Sequence, residues 1–309
     1  LECMDELITV AKEAAIRSEI YHFKQVGTSN WDKLDPAVNK IDSANAAGLY
    51  ITADMYNYIA SSTGFDIIMP DWVQEGGFSE WTKRLADPEI RKAVGPAIRD
   101  AIANKTGSAD KVLIIGFNND SLKYLTGKSL AEVAALRGTT PEETVMDLVI
   151  DDGSRVGVVY FSMSEDNIKR QIALPWMSFC SDGQSLAPEG VFLKSNTHPR
   201  AYGNFARLLG KYVRDEQVIP LEEAVRRLTS FPAGNLRIKK RGLLTPGFYA
   251  DIVIFDPEKV QDHSTFDKPH QYSTGMSHVF VNGVQVLLDG EHTGATPGRV
   301  VRGPGWVRQ

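Results

Sequence analysis

The sequence predicts an α/β fold over residues 1–230, followed by a small β unit over residues 231–309. Three observations carry this prediction. In the first part, apolar runs typical of strands alternate with segments of helical periodicity, a pattern that indicates parallel strands. In the second part, short Val-rich segments replace the helical periodicity. Between two of these segments, the pair Asn282-Gly283 is a strong hairpin signal.

The first elements are a helix, a short strand, a second helix and a second strand. Residues 2–17 repeat apolar side chains at helical spacing, and EIYHFK after them has the composition of a short strand. DPAVNKIDSANAAG is helical, with Gly48 as its C-terminal cap, and LYITADMY is the next strand. Strand, helix and strand in this order predict a βαβ unit with parallel strands.

Residues 63–108 interrupt this alternation, and we interpret them as a lid-like insertion. A loop-like stretch, PDWVQEGG, precedes two helices, the second with Asp87 as N-cap and Pro88 at its first position. The insertion contains three aromatic residues, which either cover a pocket or form a core of the insertion itself: Trp72, Phe78 and Trp81.

The alternation resumes with the buried strand KVLIIGF at residues 111–117. TPEETVMDLVIDD is predicted to be a helix, because Thr140 and Glu143 have the spacing of a capping box. IALPWMSFC is the next strand, and PLEEAVRRLTSF is a helix with Pro220 near its start.

Composition and charge exclude several classes of function. The formal net charge is −5, so no broad basic field indicates a nucleic-acid or anionic membrane partner. No apolar stretch approaches the length of a membrane span. The two cysteines, Cys3 and Cys180, form no disulfide framework, and we expect a reducing, cytoplasmic location. Because the sequence opens within a helix and without an initiator Met, we also expect a part of a longer protein.

Polar side chains follow three predicted strands: His22 and Lys24, then Asp54 and Tyr56, then Asp182. In parallel α/β proteins, functional side chains gather at the carboxyl ends of strands. A histidine and an aspartate at two such ends can share a metal ion, because imidazole and carboxylate are common zinc ligands. Taken alone, however, His22 is more often a hydrogen-bonded structural residue, and Asp182 before a glycine is more often a turn residue.

The stretch NTHPRAYG follows the Asp182 strand. Arg200 in this stretch can bind both oxygens of a carboxylate, because its guanidinium is planar and forked. The alternative is a surface arginine in a loop, and His198 beside it is equally explained as a packing residue. Cys180 is interpreted as a small buried residue, since no basic residue near it in sequence activates the thiol.

Several segments, in this order, resemble the C-terminal part of the N-acyl-D-amino-acid deacylases (D-aminoacylases), within the metal-dependent amidohydrolase superfamily. They are EIYHFK, ITADMYNYIASST, SFCSDG, HPRAYGNFARLLGKYV and LEEAVRRLTSFPAGNLRIKKRGLLTPGFYADIVIFDP, followed by VFVNGVQVLLDGEHTGATPGRVVR. The resemblance implies the C-terminal half of a TIM-type (β/α)8 barrel with a small β-sandwich. Such a barrel needs roughly 200 residues or more, and about four of its strands are expected here, so this chain cannot close it.

The resemblance also implies residue roles. His22 corresponds to a zinc-binding histidine on the fifth strand, and Asp182 to a proton shuttle at the end of the eighth strand that also contacts the metal. Arg200 corresponds to the residue that binds the substrate's α-carboxylate, and we expect Tyr56 and Lys24 to bind substrate beside it. The family's His-x-His motif and metal-binding cysteine are absent from this sequence, and LYITADMY lacks the histidine usual on a sixth strand.

The implied reaction is metal-dependent hydrolysis of the amide of N-acyl-D-amino acids, with one or two zinc ions. Zinc supplies hydroxide at neutral pH, and Asp182 moves the proton to the leaving nitrogen. One alternative is a cyclic-amide hydrolase related to hydantoinase or dihydroorotase. Another is a non-catalytic fragment that serves as a binding or assembly surface. The oligomeric state, the acyl group and the preferred side chain stay open.

Overall fold

The computed structural model describes residues 1–307, which contain ten strands and eleven α-helices. The strands are β1 (Ser18–Ile20), β2 (Ile51–Met55), β3 (Ala60–Gly64), β4 (Val112–Gly116), β5 (Gly157–Phe161), β6 (Met177–Phe179), β7 (Ile252–Phe255), β8 (Met276–Val281), β9 (Val284–Leu288) and β10 (Glu291–His292). The α-helices are α1 (Glu2–Glu13), α2 (Leu34–Ala46), α3 (Asp71–Gln74), α4 (Phe78–Ala86), α5 (Pro88–Thr106), α6 (Leu130–Arg137), α7 (Pro141–Asp152), α8 (Glu165–Ile172), α9 (Arg200–Arg207), α10 (Leu221–Leu228) and α11 (Ser230–Asn235). Short 3-10 helices cover Thr28–Lys33, Phe65–Ile68, Ala109–Lys111, Asp120–Leu125 and Gly190–Lys194, and a π-helix covers Leu208–Asp215.

A parallel sheet with the strand order β1-β2-β6 forms the first layer of the α/β part. The helix α2 connects β1 to β2, so the predicted βαβ unit with parallel strands is confirmed. The apolar faces of its helix and strands meet in one core, in which Ile41 of α2, Ile51 of β2 and Met177 of β6 are fully or almost fully buried. Because the three strands are parallel, their carboxyl ends lie at one edge of the sheet.

A second sheet, antiparallel and with the order β3-β5-β4, lies in sequence between β2 and β6. With α3 to α7 it forms a separate hydrophobic cluster, and we call residues 60–161 the inserted unit. KVLIIGF is a strand, as predicted, but β4 pairs with the antiparallel β5 and does not extend the parallel sheet. The parallel sheet therefore has three strands in the described residues, where about four were expected. An apolar run specifies burial and does not specify the strand that it pairs with.

The aromatic residues of the predicted lid belong mainly to the core of the inserted unit. Trp81 is 5% exposed and packs against Phe78, with ring centroids 5.1 Å apart. Trp72 is 44% exposed. The inserted unit therefore has its own apolar core, and two of the three aromatic residues contribute to it.

The helix ends follow the capping signals of the sequence. Asp87 accepts the backbone N–H of Glu89 at the start of α5, and Thr140 accepts that of Glu143 at the start of α7. The first helix ends at Glu13 and not at residue 17, because Ala15 turns into the left-handed region with φ of 52°. None of the helices in the described part of the chain is both long enough and apolar enough to cross a membrane.

The last four strands form one antiparallel sheet with the order β10-β9-β8-β7. The predicted hairpin is confirmed, since Asn282 and Gly283 connect β8 to β9 with φ of 51° and 81°. Phe255 and Met276 of this sheet pack against the core of the parallel sheet. The described residues show a single sheet here, so the sandwich stays a prediction.

Candidate functional site

His22 and Asp182 lie at the same edge of the parallel sheet. His22 follows β1, Asp182 follows β6, and both strands run parallel to β2 between them. Tyr21 contacts both residues, because its hydroxyl donates a hydrogen bond to Asp182 Oδ1 and its ring centroid lies 4.0 Å from that of His22. The structure thus brings together the two residues that the sequence predicts as metal ligands.

The backbone at both positions is unusual for residues with a side chain. His22 has φ of 40° and Asp182 has φ of 44°, in the left-handed region that most residues avoid. The N–H of His22 donates to Asp54 Oδ1 at 2.6 Å, which offsets part of the cost at that position. After Asp182, Gly183 approaches α9 so closely that a Cβ would lie 2.9 Å from Ala201 Cα. Only glycine permits this approach.

Arg200 forms an ion pair with Asp182 at the first residue of α9. Its Nη2 lies 2.7 Å from Asp182 Oδ2, and the Arg200 residue is 6% exposed. Its guanidinium carbon lies 4.3 Å from the centroid of the Tyr56 ring. The other guanidinium nitrogens, Nε and Nη1, are buried and have no hydrogen-bond partner in the structure. Because an unpaired buried charged donor is costly, these two atoms indicate a missing acceptor.

Tyr56 and Lys24, the two further residues expected to bind substrate, lie near Arg200. The Tyr56 hydroxyl is buried without a partner, and burial raises its pKa. Lys24 Nζ lies 5.1 Å from the Tyr56 ring centroid and donates to the carbonyl oxygen of His22 at 3.1 Å. Burial lowers the pKa of Lys24 to about 8, which still leaves the amine largely protonated at neutral pH. Two cations therefore lie against the ring of Tyr56.

The described residues hold part of a metal site and not a complete one. Burial, followed by the charge of Lys24, lowers the pKa of His22, so the neutral imidazole that can ligate a metal is favoured. Within residues 1–307, however, no three residues of the His, Cys, Asp and Glu types are arranged to hold a metal ion. His22 and Asp182 alone are too few ligands for zinc.

Cys180 does not supply a further ligand in this arrangement. Its thiol donates to Asp54 Oδ1 at 3.3 Å, and burial raises its pKa, so the thiol form is favoured over the thiolate that binds metals. The residue is intermediate in exposure, so it is less buried than the sequence predicts.

Three contributions to the site have weak or no signals in the sequence. Tyr21 holds Asp182, and its only sequence signal is its place directly before His22. Asp54 accepts the N–H of His22, and its only sequence signal is its place at the end of a predicted strand. Asn204 accepts the N–H of Asn57 at 2.9 Å and donates to the Cys180 carbonyl at 2.6 Å. These contacts span 147 and 24 positions of the chain, so local patterns cannot reveal them.

Known proteins match this chain over most of its length. The model of the amidohydrolase family matches residues 85–287. The N-acyl-D-glutamate deacylase of Alcaligenes xylosoxydans xylosoxydans is 29% identical over 299 residues, which cover 97% of this chain and 51% of that protein. The chain therefore spans about half the length of this curated relative.

Two solved structures are similar in fold as well. A crystal structure of D-aminoacylase has a TM-score of 0.73 and 29% identity, and the match covers 97% of this chain and 52% of that one. The N-acyl-D-glutamate deacylase of Bordetella bronchiseptica has a TM-score of 0.70 and 28% identity over 94% of this chain and 51% of that one. That enzyme was solved with zinc and a phosphonate inhibitor that mimics the tetrahedral intermediate of its reaction.

Proposed function

This chain belongs to the amidohydrolase family, and from that membership we propose that the protein hydrolyses the amide bond of N-acyl-D-amino acids, with zinc as its metal. The observation that carries the proposal is the pair of unpartnered buried nitrogens of Arg200 beside Asp182. A substrate carboxylate supplies the acceptor that these atoms lack. The names of the similar proteins, which are deacylases of N-acyl-D-amino acids, support the same substrate class.

The strand order supports a specific place for His22 in the proposed barrel. If Asp182 ends the eighth strand of a (β/α)8 barrel, the order β1-β2-β6 makes β2 the seventh strand and β1 the sixth. His22 then ends the sixth strand, one position later than the fifth strand expected from the resemblance. The histidine expected on the sixth strand is then His22, and β2, as the seventh strand, does not have to supply it. The proposed β-sandwich would place a second sheet against β7 to β10.

His22 and Asp182 are the residues of this chain that would contribute to holding the metal. When bound, zinc supplies an activated water as nucleophile and polarises the scissile carbonyl. The remaining ligands would have to come from outside the described residues, since His22 and Asp182 do not complete a site.

Asp182 moves the proton in the proposed reaction. It takes a proton from the attacking water and delivers it to the amide nitrogen, which must be protonated before it leaves. Tyr21 donates to one of its carboxylate oxygens and Arg200 forms an ion pair with the other, and together they fix the plane of the carboxylate. The positive φ of Asp182 points to the same requirement for a fixed orientation.

Arg200 binds the substrate carboxylate through the N–H groups that Asp182 leaves unpaired. Lys24 adds a second positive charge, and the Tyr56 hydroxyl adds a donor that is free in the structure. Together they position the scissile amide near Asp182, and this positioning favours amino-acid derivatives over simple amides.

A substrate panel, run with zinc on a protein in which the remaining metal ligands are also present, tests the proposal. We expect turnover of N-acetyl-D-leucine, much less turnover of its L-enantiomer, and none of N-acetyl-isopentylamine, which lacks the carboxylate. Turnover of hydantoins in their place would establish a cyclic-amide hydrolase. A protein that binds no zinc and turns over none of these compounds would contradict the proposal and support a non-catalytic role.

Arg200→Lys tests the carboxylate contact within the same panel. Lysine keeps the charge but loses the planar pair of donors, so we expect KM for N-acetyl-D-leucine to rise about 10- to 100-fold. Arg155→Lys is the matched control, because Arg155 forms an exposed ion pair with Asp66 in the inserted unit. An unchanged KM in Arg200→Lys would remove Arg200 from substrate binding.

A further inference from the structure

His198 connects Arg200 to the inserted unit. Its Nδ1 accepts the backbone N–H of Arg200 at 3.0 Å, and its Nε2 lies 2.9 Å from the carbonyl oxygen of Ala60. The residue is 3% exposed. Both ring nitrogens are therefore satisfied, one by the helix that carries Arg200 and the other by the first residue of β3.

These two contacts determine the tautomer of the ring. Because Nδ1 accepts a hydrogen bond, the proton lies on Nε2, which donates to Ala60. The ring is enclosed by aromatic side chains, with the centroids of Tyr58 and Phe266 at 5.3 and 5.2 Å. Burial and the charge of Arg200 lower the pKa of His198 to about 3, so the ring stays neutral above that pH. As long as the ring is neutral, Nε2 donates to Ala60 and Nδ1 accepts from Arg200.

The contact with Arg200 replaces a missing helix cap. Arg200 is the first residue of α9, and the residue before it, Pro199, makes no side-chain cap. The N–H groups in the first turn of a helix have no partner within the helix. His198 Nδ1 satisfies the first of them and so fixes the point at which the Arg200 side chain leaves the backbone.

The contact with Ala60 lies where the chain enters the inserted unit. Ala60 is the first residue of β3 and pairs with Phe161 at the end of β5. The same loop has a second contact with the inserted sheet, because the N–H of Asn196 donates to the Ile115 carbonyl of β4 at 2.7 Å. The loop before α9 therefore lies against two strands of the inserted unit.

We propose that His198 is a positioning residue that sets the guanidinium of Arg200 against the inserted unit, so that carboxylate binding depends on where that unit lies. This role of His198 rests on the proposed function, because the ligand of Arg200 is taken to be a substrate carboxylate. It goes beyond that function because it assigns a specificity role to a residue outside the substrate pocket and to the contact between the pocket and the inserted unit.

Two substitutions separate the two contacts of the ring. In His198→Gln, the side-chain amide reaches the position of Nε2 and keeps the donor to Ala60, but the acceptor for Arg200 is lost. In His198→Asn, the side-chain oxygen lies near the position of Nδ1 and keeps that acceptor, but the donor to Ala60 is lost. His270→Gln is the matched control, because His270 also joins a carbonyl, that of Ser195, to a side chain without contacting Arg200.

The primary measurement is the dissociation constant of N-acetyl-D-leucine by calorimetry, with the melting temperature of each variant measured in parallel. We expect about tenfold weaker binding in both His198→Gln and His198→Asn, and a change below twofold in His270→Gln. A melting temperature that falls in the His198 variants while the dissociation constant stays within twofold would show a merely structural role and overturn the proposal.

A second measurement does not depend on the ligand. The Nε–H resonance of Arg200 in a ¹⁵N-labelled protein, assigned by its loss in Arg200→Lys, reports the position of the guanidinium. We expect this resonance to shift or broaden in both His198 variants and to stay in place in His270→Gln. If the unsubstituted protein binds no N-acetyl-D-leucine, the proposed function fails, but this resonance still decides the role of His198. An unmoved resonance in both His198 variants would overturn that role.

Discussion

The inserted unit and the strand-end site, by which we mean His22, Lys24, Tyr56, Asp182 and Arg200, have opposite kinds of interior. The inserted unit is filled with apolar side chains, and Phe65, Leu125 and Tyr160 are all 0% exposed. The strand-end site contains charged and hydroxyl groups, and several of them, including Arg200 Nε and the Tyr56 hydroxyl, are buried without a partner. The first interior is mainly apolar and has only single unpartnered oxygens, those of Ser61, Asp66 and Thr126, among its described residues. The second contains a guanidinium with two unpartnered nitrogens.

This difference teaches where stability and chemistry are located. Apolar burial stabilises a fold in proportion to the area removed from water. Unpaired buried polar groups reduce stability, and they persist where a ligand completes them. Substitutions in the strand-end site should therefore change binding and turnover much more than stability, and substitutions in the inserted unit should do the reverse. His198 lies between the two regions and should affect both.

Asp182→Asn should have the largest effect. The amide cannot take and return the proton, so we expect kcat to fall about 10³-fold, or about 4 kcal/mol in activation free energy. The side chain keeps its shape, but the buried Arg200 loses the charge of its partner, so we expect some fall in the melting temperature as well. Steady-state kinetics on the zinc-supplemented protein measures the effect, with the exposed Asp267→Asn as control. Substantial turnover in Asp182→Asn would remove this residue from proton transfer.

Acid should destabilise the protein through His198. The pKa of this ring is about 3 in the folded protein and 6.5 in the unfolded chain, so between these values the unfolded state binds a proton that the folded state excludes. The contribution is complete above pH 6.5 and is lost as the pH falls toward 3. Between pH 6.5 and pH 4 we expect a loss of about 3 kcal/mol in unfolding free energy.

Urea denaturation at several pH values isolates this contribution. His198→Gln carries no group that titrates in this range, so its unfolding free energy should depend less steeply on pH than that of the unsubstituted protein. Equal pH dependence in the two proteins would contradict the assignment of a neutral buried ring.

Leu125→Ala should destabilise the core of the inserted unit. Leu125 is 0% exposed, and its truncation removes buried apolar area and leaves a cavity, which typically costs about 3 kcal/mol. Leu136→Ala is the control, because Leu136 is 65% exposed and its truncation should cost little. Chemical denaturation gives both free energies. If Leu125→Ala changes the binding free energy of N-acetyl-D-leucine more than the unfolding free energy, the contrast between the two regions is contradicted.

Ser129→Ala should give the smallest effect of this series. Ser129 and Glu132 form a complete capping box at the start of α6, and loss of the serine side chain should cost about 1 kcal/mol. Ser79→Ala, at an exposed position in the first turn of α4, is the control. Thermal and chemical denaturation should show the difference, and catalysis should be unchanged. Equal stabilities of the two variants would show that the box contributes nothing.

Local patterns predicted those parts of the fold that depend on neighbouring residues. The helix caps at Asp87 and Thr140 and the Asn282-Gly283 hairpin are as expected, because a cap or a tight turn is decided within a few positions. The βαβ unit was also predicted, because periodicity and length distinguish its helix from its strands. The parallel strands brought His22 and Asp182 to one edge, as the sequence indicated.

The sequence by itself determined the α/β class, the family resemblance and the residue types of the candidate site. Only the tertiary structure decided that β4 pairs with β5, that Tyr21 donates to Asp182, and that His198 joins Arg200 to the inserted unit. The physical reason is range. Propensity, capping and periodicity act over a few residues, whereas strand pairing and buried hydrogen bonds join groups separated by tens to more than a hundred positions, and their partners are specified by packing.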